Sequence, residues 1–146
     1  MTIVLDAYAV IAAVAGEPAA ELVDRELRRP GADVRISAVN LAEVLDQLLR
    51  VARLAAPTVE RSLQLLSAAG LSVVPADEQL GYEAGSLGAR HYRRGSADVS
   101  LSDCFAVASA ASLDAAVATA DPALAAMARV QVVRVVGLPD SKGRLP

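Results

Sequence analysis

Five short runs of β-branched and small apolar residues recur along the chain, each separated from the next by a longer stretch with helical periodicity. This alternation constrains the fold more than any other feature. The spacing predicts strands at Ile3–Leu5, Val34–Ile36, Ser72–Val74, Ala116–Ala118 and Gln131–Val135. Helices are expected at Tyr8–Ala15, Pro18–Arg29, Val39–Arg53, Thr58–Ala69, Glu78–His91, Leu101–Ser112 and Pro122–Ala128. Strand, helix, strand in succession builds a three-layer α/β/α sandwich around a mainly parallel five-stranded sheet, because parallel neighbours need a crossover connection. The 146 residues suffice for one such domain with its own core. No repeat or linker divides them. Residues 1–138 read as the domain, and "PDSKGRLP", 139–146, reads as a C-terminal tail expected to fray.

In an open parallel sheet, ligands bind outside the carboxyl ends of the strands. Two such positions hold aspartates: Asp6 follows "TIVL", and Asp121 follows "AVAT" in "ATADP". A third acid, Glu43, lies in the second turn of the helix after strand two. There the apolar stripe Leu41, Val44, Leu45, Leu48 and Ala52 turns Glu43 to a polar side with Asn40 and Gln47. The fourth, Asp103, sits in the first turn of the helix "LSDCFAVASA", where Ser100 and Asp103 also match a capping box. Each acid taken singly has a structural explanation as a helix cap or a wet-face charge. Together they share one edge if strands one and four are neighbours. Carboxylates so gathered repel one another and raise one another's pKa unless a cation joins them. Mg²⁺ or Mn²⁺ prefers oxygen ligands and binds through a few carboxylates plus a substrate phosphate, which points to phosphodiester hydrolysis.

Charge and composition narrow the partners. A formal net charge of -3 leaves no basic excess for binding phosphates over the whole surface. With 3% aromatic residues and no Trp, the chain has few stacking platforms for a pure binding module. Basic charge is concentrated locally in "RHYRRG", where Arg90, Arg93 and Arg94 are candidate RNA-binding residues; a solvated helix end explains them equally well. The only histidine, His91, falls in this loop-like basic stretch, so the single cysteine, Cys104, has no base beside it. It reads as a buried small residue, and its solitude excludes an internal disulfide. A reducing cytoplasm is the expected location. The apolar N-terminal run is broken by Asp6 and is too short to span a membrane.

The ordered segments "IVLDAYAVIA", "ISAVNLAEVL", "LSLSDCFAVASA" and "VATADPAL" resemble the PIN domain, and specifically the VapC-type ribonuclease toxins of bacterial type II toxin-antitoxin systems. The resemblance spans residues 3 to about 136. It implies a Mg²⁺-dependent endoribonuclease acting on RNA, with Mn²⁺ as a substitute, whose catalytic and metal-binding acids are Asp6, Glu43, Asp103 and Asp121. Thr119 matches the hydroxyl residue two positions before the last acid that supports the site in this family, and Asn40 is a second supporting residue. A homodimer and a cognate antitoxin, whose tail occupies the active-site groove, are also implied. Some relatives carry one more acid just after the last; here Pro122, Ala123 and Leu124 follow Asp121. Asp98, five residues before Asp103, reads as loop.

Other phosphate-handling α/β folds fit less well. A haloacid-dehalogenase-like phosphatase needs a second Asp where Tyr8 stands, and a receiver domain needs a lysine near the last strand, whereas the only one is Lys142. A dinucleotide fold needs glycines in the first turn, and "LDAYAVIA" has none. The remaining alternative is a non-catalytic PIN-like scaffold that binds RNA or protein.

Overall fold

The computed structural model describes residues 1–92 and 99–146. Five strands, β1 (Thr2–Leu5), β2 (Asp33–Ser37), β3 (Leu71–Val74), β4 (Ala116–Thr119) and β5 (Arg134–Gly137), form one sheet in the order β3-β2-β1-β4-β5. Every pairing is parallel. The chain winds outward from β1 to β2 and β3, then returns to place β4 on the other side of β1. The order therefore reverses between β1 and β4.

Helices α1 (Ala7–Ala15), α2 (Ala20–Arg28), α3 (Ala38–Asp46) and α4 (Ala56–Ala68) cover one face; α5 (Glu78–His91), α6 (Leu101–Ser112) and α7 (Pro122–Val130) cover the other. Strand alternation divides the core between them. Ile3, Leu5, Ala116 and Ala118 pack toward the α1–α4 layer, while Val4 and Val117 pack toward α5–α7. Central strands covered on both faces carry apolar residues continuously, and "TIVL" and "AVAT" read that way. Helix α6 is buried without interruption from Cys104 to Ala110, its small side chains allowing close approach to the sheet and to α5. Cys104 belongs to this core, as expected.

Several expected boundaries shift, each for a local reason. The helix expected over Val39–Arg53 is regular only to Asp46 and continues as a wide π turn over Gln47–Val51. Its buried stripe runs through Asn40, Val44 and Leu48, so Asn40 is a core residue rather than a wet-face one, and Leu45 is turned outward. The last strand starts three residues later than expected. Gln131 caps α7, and Val132 takes a left-handed φ of 60° as the chain turns back toward the sheet. His91 is the last residue of α5 rather than part of a loop, and its Nε2 lies 3.1 Å from Gln131 Nε2.

The C-terminal segment, 139–146, forms a hydrogen-bonded turn. Asp140 Oδ1 accepts the backbone N–H groups of Lys142 and Arg144 at 2.8 and 2.9 Å, and Oδ2 accepts from Arg144 Nε at 2.8 Å. The resulting turn brings Pro146 back against Gly137. An aspartate whose side chain satisfies the following N–H groups is a standard turn maker, a role not credited to Asp140 in the sequence.

Candidate active site

At the carboxyl ends of β1 and β4, where the strand order reverses, a cleft of about 300 Å³ is lined by Asp6, Ala7, Tyr8, Glu43, Ser100, Asp103 and Asp121. All four acids singled out in the sequence line it. They arrive from four segments: the ends of β1 and β4, the second turn of α3 and the first turn of α6.

Three of the four are also helix caps. Asp6 caps α1, its Oδ1 accepting from Ala9 N–H at 2.8 Å. Asp121 caps α7, its Oδ1 accepting from Ala123 N–H at 2.7 Å. Asp103 completes a capping box on α6: its N–H donates to Ser100 Oγ at 3.1 Å, and its Oδ2 accepts from Ser100 N–H at 2.7 Å. In each acid one carboxylate oxygen is tied to the backbone, which fixes the rotamer and leaves the other oxygen for a ligand. Cap and cluster are thus compatible roles. Glu43 has no such duty, since Ser37 caps α3.

Thr119 and Asn40 are fully buried. Thr119 Oγ1 accepts the N–H of Asp121 at 2.9 Å, and its hydroxyl lies near enough to Asp6 to favour the charged carboxylate. Asn40 accepts a hydrogen bond from the Ser37 hydroxyl through Oδ1. Its Nδ2 has no partner among the described residues, and Asn40 does not line the cleft.

Burial dominates the electrostatics. Asp6, 4% exposed, is pushed up to a pKa of about 7 chiefly by desolvation, offset in part by hydrogen bonds from Thr119 and Ala9 and reinforced by the charges of Asp103 and Asp121. Asp103 is raised too, first by burial and then by Asp121 and Glu43, against the opposing hydrogen bonds of Ser100. Burial likewise raises the Cys104 thiol, which argues against a nucleophilic thiolate.

An all-carboxylate donor set in which burial and neighbouring charge raise Asp6 and Asp103 suits a hard cation such as Mg²⁺ or Mn²⁺. Among the described residues, no three His, Cys, Asp or Glu side chains are arranged to hold a metal ion by themselves.

Of the candidate RNA-binding residues, Arg90 lies outside the cleft. Arg90, exposed near the end of α5, lines a separate groove of about 370 Å³ with Tyr82, Val107 and Gln131, and its Nε donates to Ser86 O at 3.2 Å. Arg93, Arg94 and Asp98 lie outside the described residues. A further groove, about 620 Å³ between α1, α2 and α4, contains Val14, Leu27 and Leu65 but none of the four acids. Two cleft residues, Tyr8 and Ser100, were not picked out as site residues. Ser100 was read as a cap only, and Tyr8 as one residue of an apolar helix.

A parallel α/β sheet with an acidic cleft at its reversal point defines a class of domain rather than one chemistry. The family is given by sequence: residues 3–130 match the PIN domain, and the chain belongs to that family. No curated protein sequence matches it. Among solved structures, the fold is similar to a chain of VapBC2 from Rickettsia felis bound to a DNA fragment from its promoter. The two share 16% identity over 93% of this chain and 98% of that one, with a TM-score of 0.68. FitAB bound to IR36 DNA shares 24% identity over 92% and 93% of the two chains, with a TM-score of 0.61. FitAcB from Neisseria gonorrhoeae shares 23% over 91% and 95%, with a TM-score of 0.58. At these identities the likeness establishes the fold.

Proposed function

We propose that the chain is a metal-dependent endoribonuclease that hydrolyses RNA phosphodiester bonds as the toxin of a toxin-antitoxin pair. The observation that carries this reading is the convergence of Asp6, Glu43, Asp103 and Asp121 from four segments on one cleft of a PIN domain. PIN domains are generally nucleases. The likeness to VapBC and FitAB chains supports an antitoxin partner. A homodimer in the cytoplasm completes the reading; among the described residues no helix is long and apolar enough to cross a membrane.

Asp6, Asp103, Glu43 and Asp121 would hold Mg²⁺ or Mn²⁺. A bound cation of this kind supplies water activation and stabilisation of the leaving oxygen. The protein's own part is to fix the donors. The caps hold three carboxylates in place, Thr119 fixes the backbone of Asp121, and burial raises the pKa of Asp6 to about 7. The test is sequencing of RNA 5′ ends after induced expression, with Asp6→Asn as control. New ends that depend on Asp6 support the reading, and identical ends in both strains remove it.

A further inference from the structure

Tyr8 has no part in the chemistry above, yet its surroundings are built. It lies two residues after Asp6 in the first turn of α1, half-buried, and is the only aromatic residue lining the acidic cleft among the described residues. Its hydroxyl donates to the carbonyl of Pro139 at 3.1 Å. Pro139 opens the C-terminal turn knitted by Asp140. One residue earlier, the N–H of Leu138 donates to the carbonyl of Thr119 at 2.8 Å, and Thr119 holds the backbone N–H of Asp121. The end of the chain therefore grips the cleft twice, once beneath the acids and once at its wall. Glu17 stands beside the phenol, one of its oxygens buried without a hydrogen-bond partner.

A cleft of about 300 Å³ is at the small end of ligand sites, with room for a phosphate and little beyond its immediate neighbour. An aromatic side chain lining that cleft stands beside whatever adjoins the phosphate. In single-stranded RNA that neighbour is a base, and bases stack on aromatic side chains whatever their sequence. A ring stacks well only if it is held still, and the bond to Pro139 does that.

We propose that Tyr8 is a substrate-positioning residue, its ring stacking on the base beside the scissile phosphate while the Asp140 turn holds it in place through Pro139. This rests on the ribonuclease reading.

The experiment is a double-mutant cycle in the full-length chain, read as KM and kcat on the RNA that end mapping identifies. Tyr8→Ala should raise KM about tenfold and change kcat by no more than about twofold, since stacking is lost equally from bound substrate and transition state. Tyr8→Phe and Asp140→Ala should each raise KM about threefold by cutting the same link, and together no further. Thermal midpoints of these two variants report any purely structural effect. Separately, affinity for a random-sequence single-stranded RNA is measured in an Asp6→Asn background, where cutting is removed; the same pattern should appear in Kd. RNA binding with the coupled pattern but no cutting by the parent sinks the nuclease reading and keeps the role of Tyr8. Unchanged KM and Kd in Tyr8→Ala, or multiplicative effects in the double variant, overturn the proposal. A parent that neither binds nor cuts RNA overturns both.

Discussion

A carboxyl held near neutrality inside a fold ties stability to pH. The folded pKa of Asp6, about 7, lies above its ordinary 3.8, so the metal-free fold favours the protonated acid. This contribution is fully present below about pH 4 and is lost as pH rises to about 7, at most about 1.4 kcal/mol per unit. Asp103 shifts in the same direction. Melts in chelator from pH 5 to 8 should therefore show the parent weakening with rising pH and Asp6→Asn weakening less; equal slopes would mean that Asp6 ionises freely. A second prediction is catalytic. Asp6→Asn, Glu43→Gln, Asp103→Asn and Asp121→Asn should each remove about 2 to 4 kcal/mol of transition-state stabilisation, measured as metal-dependent RNA cleavage, while Cys104→Ala should cut normally. Normal cleavage by any of the four removes that acid from the site. Asp6 and Asp121 were legible because a polar residue directly after an apolar strand stands out. Tyr8 was not, because its contact with Pro139 lies 131 residues away along the chain; Asn40 was named as a supporting residue but placed on the polar side, whereas it sits on the buried stripe, where helical periodicity expects an apolar side chain.

At the level of helices, the caps and the cluster pull in opposite directions. Asp103→Ala removes a capping-box interaction worth about 1 kcal/mol, but also removes a buried charge facing Asp121 and Glu43. In chelator the two effects should nearly cancel, leaving the variant within about 1 kcal/mol of the parent. Millimolar Mg²⁺ should then raise the melting point of the parent and that of the variant much less. An equal rise in both would reduce Asp103 to a cap. The elements themselves were largely readable. Helices α5 and α6 begin and end where their caps predict, because Asp77 and Ser100 announce them locally. The π turn after α3 and the late start of β5 were not readable. Neither has a residue type that marks it, and a β-branched run such as "QVVRVV" scores as strand even where tertiary packing bends its first residues into a helix end.

For the molecule as a whole, Arg90 tests whether RNA is held beyond the cleft. If Arg90 touches an RNA phosphate, Arg90→Gln should lower the slope of log affinity against log salt by about 0.7, the value for one single-strand contact, and leave kcat unchanged. An unchanged slope makes Arg90 a solvated helix end. The sheet order and the shared edge of the acids followed from strand-helix alternation, since right-handed crossovers leave few ways to wind such a chain. The grip of the last residues on the cleft did not, because nothing local pairs Pro139 with Tyr8. The reversal between β1 and β4 also governs timing. Asp6 is made before the strand that must lie beside it and before Asp121 at that strand's end. An unfinished copy, or one broken before β4, lacks a neighbour for its central strand and an acid for its cleft, so the four acids can meet only in a chain made past β4.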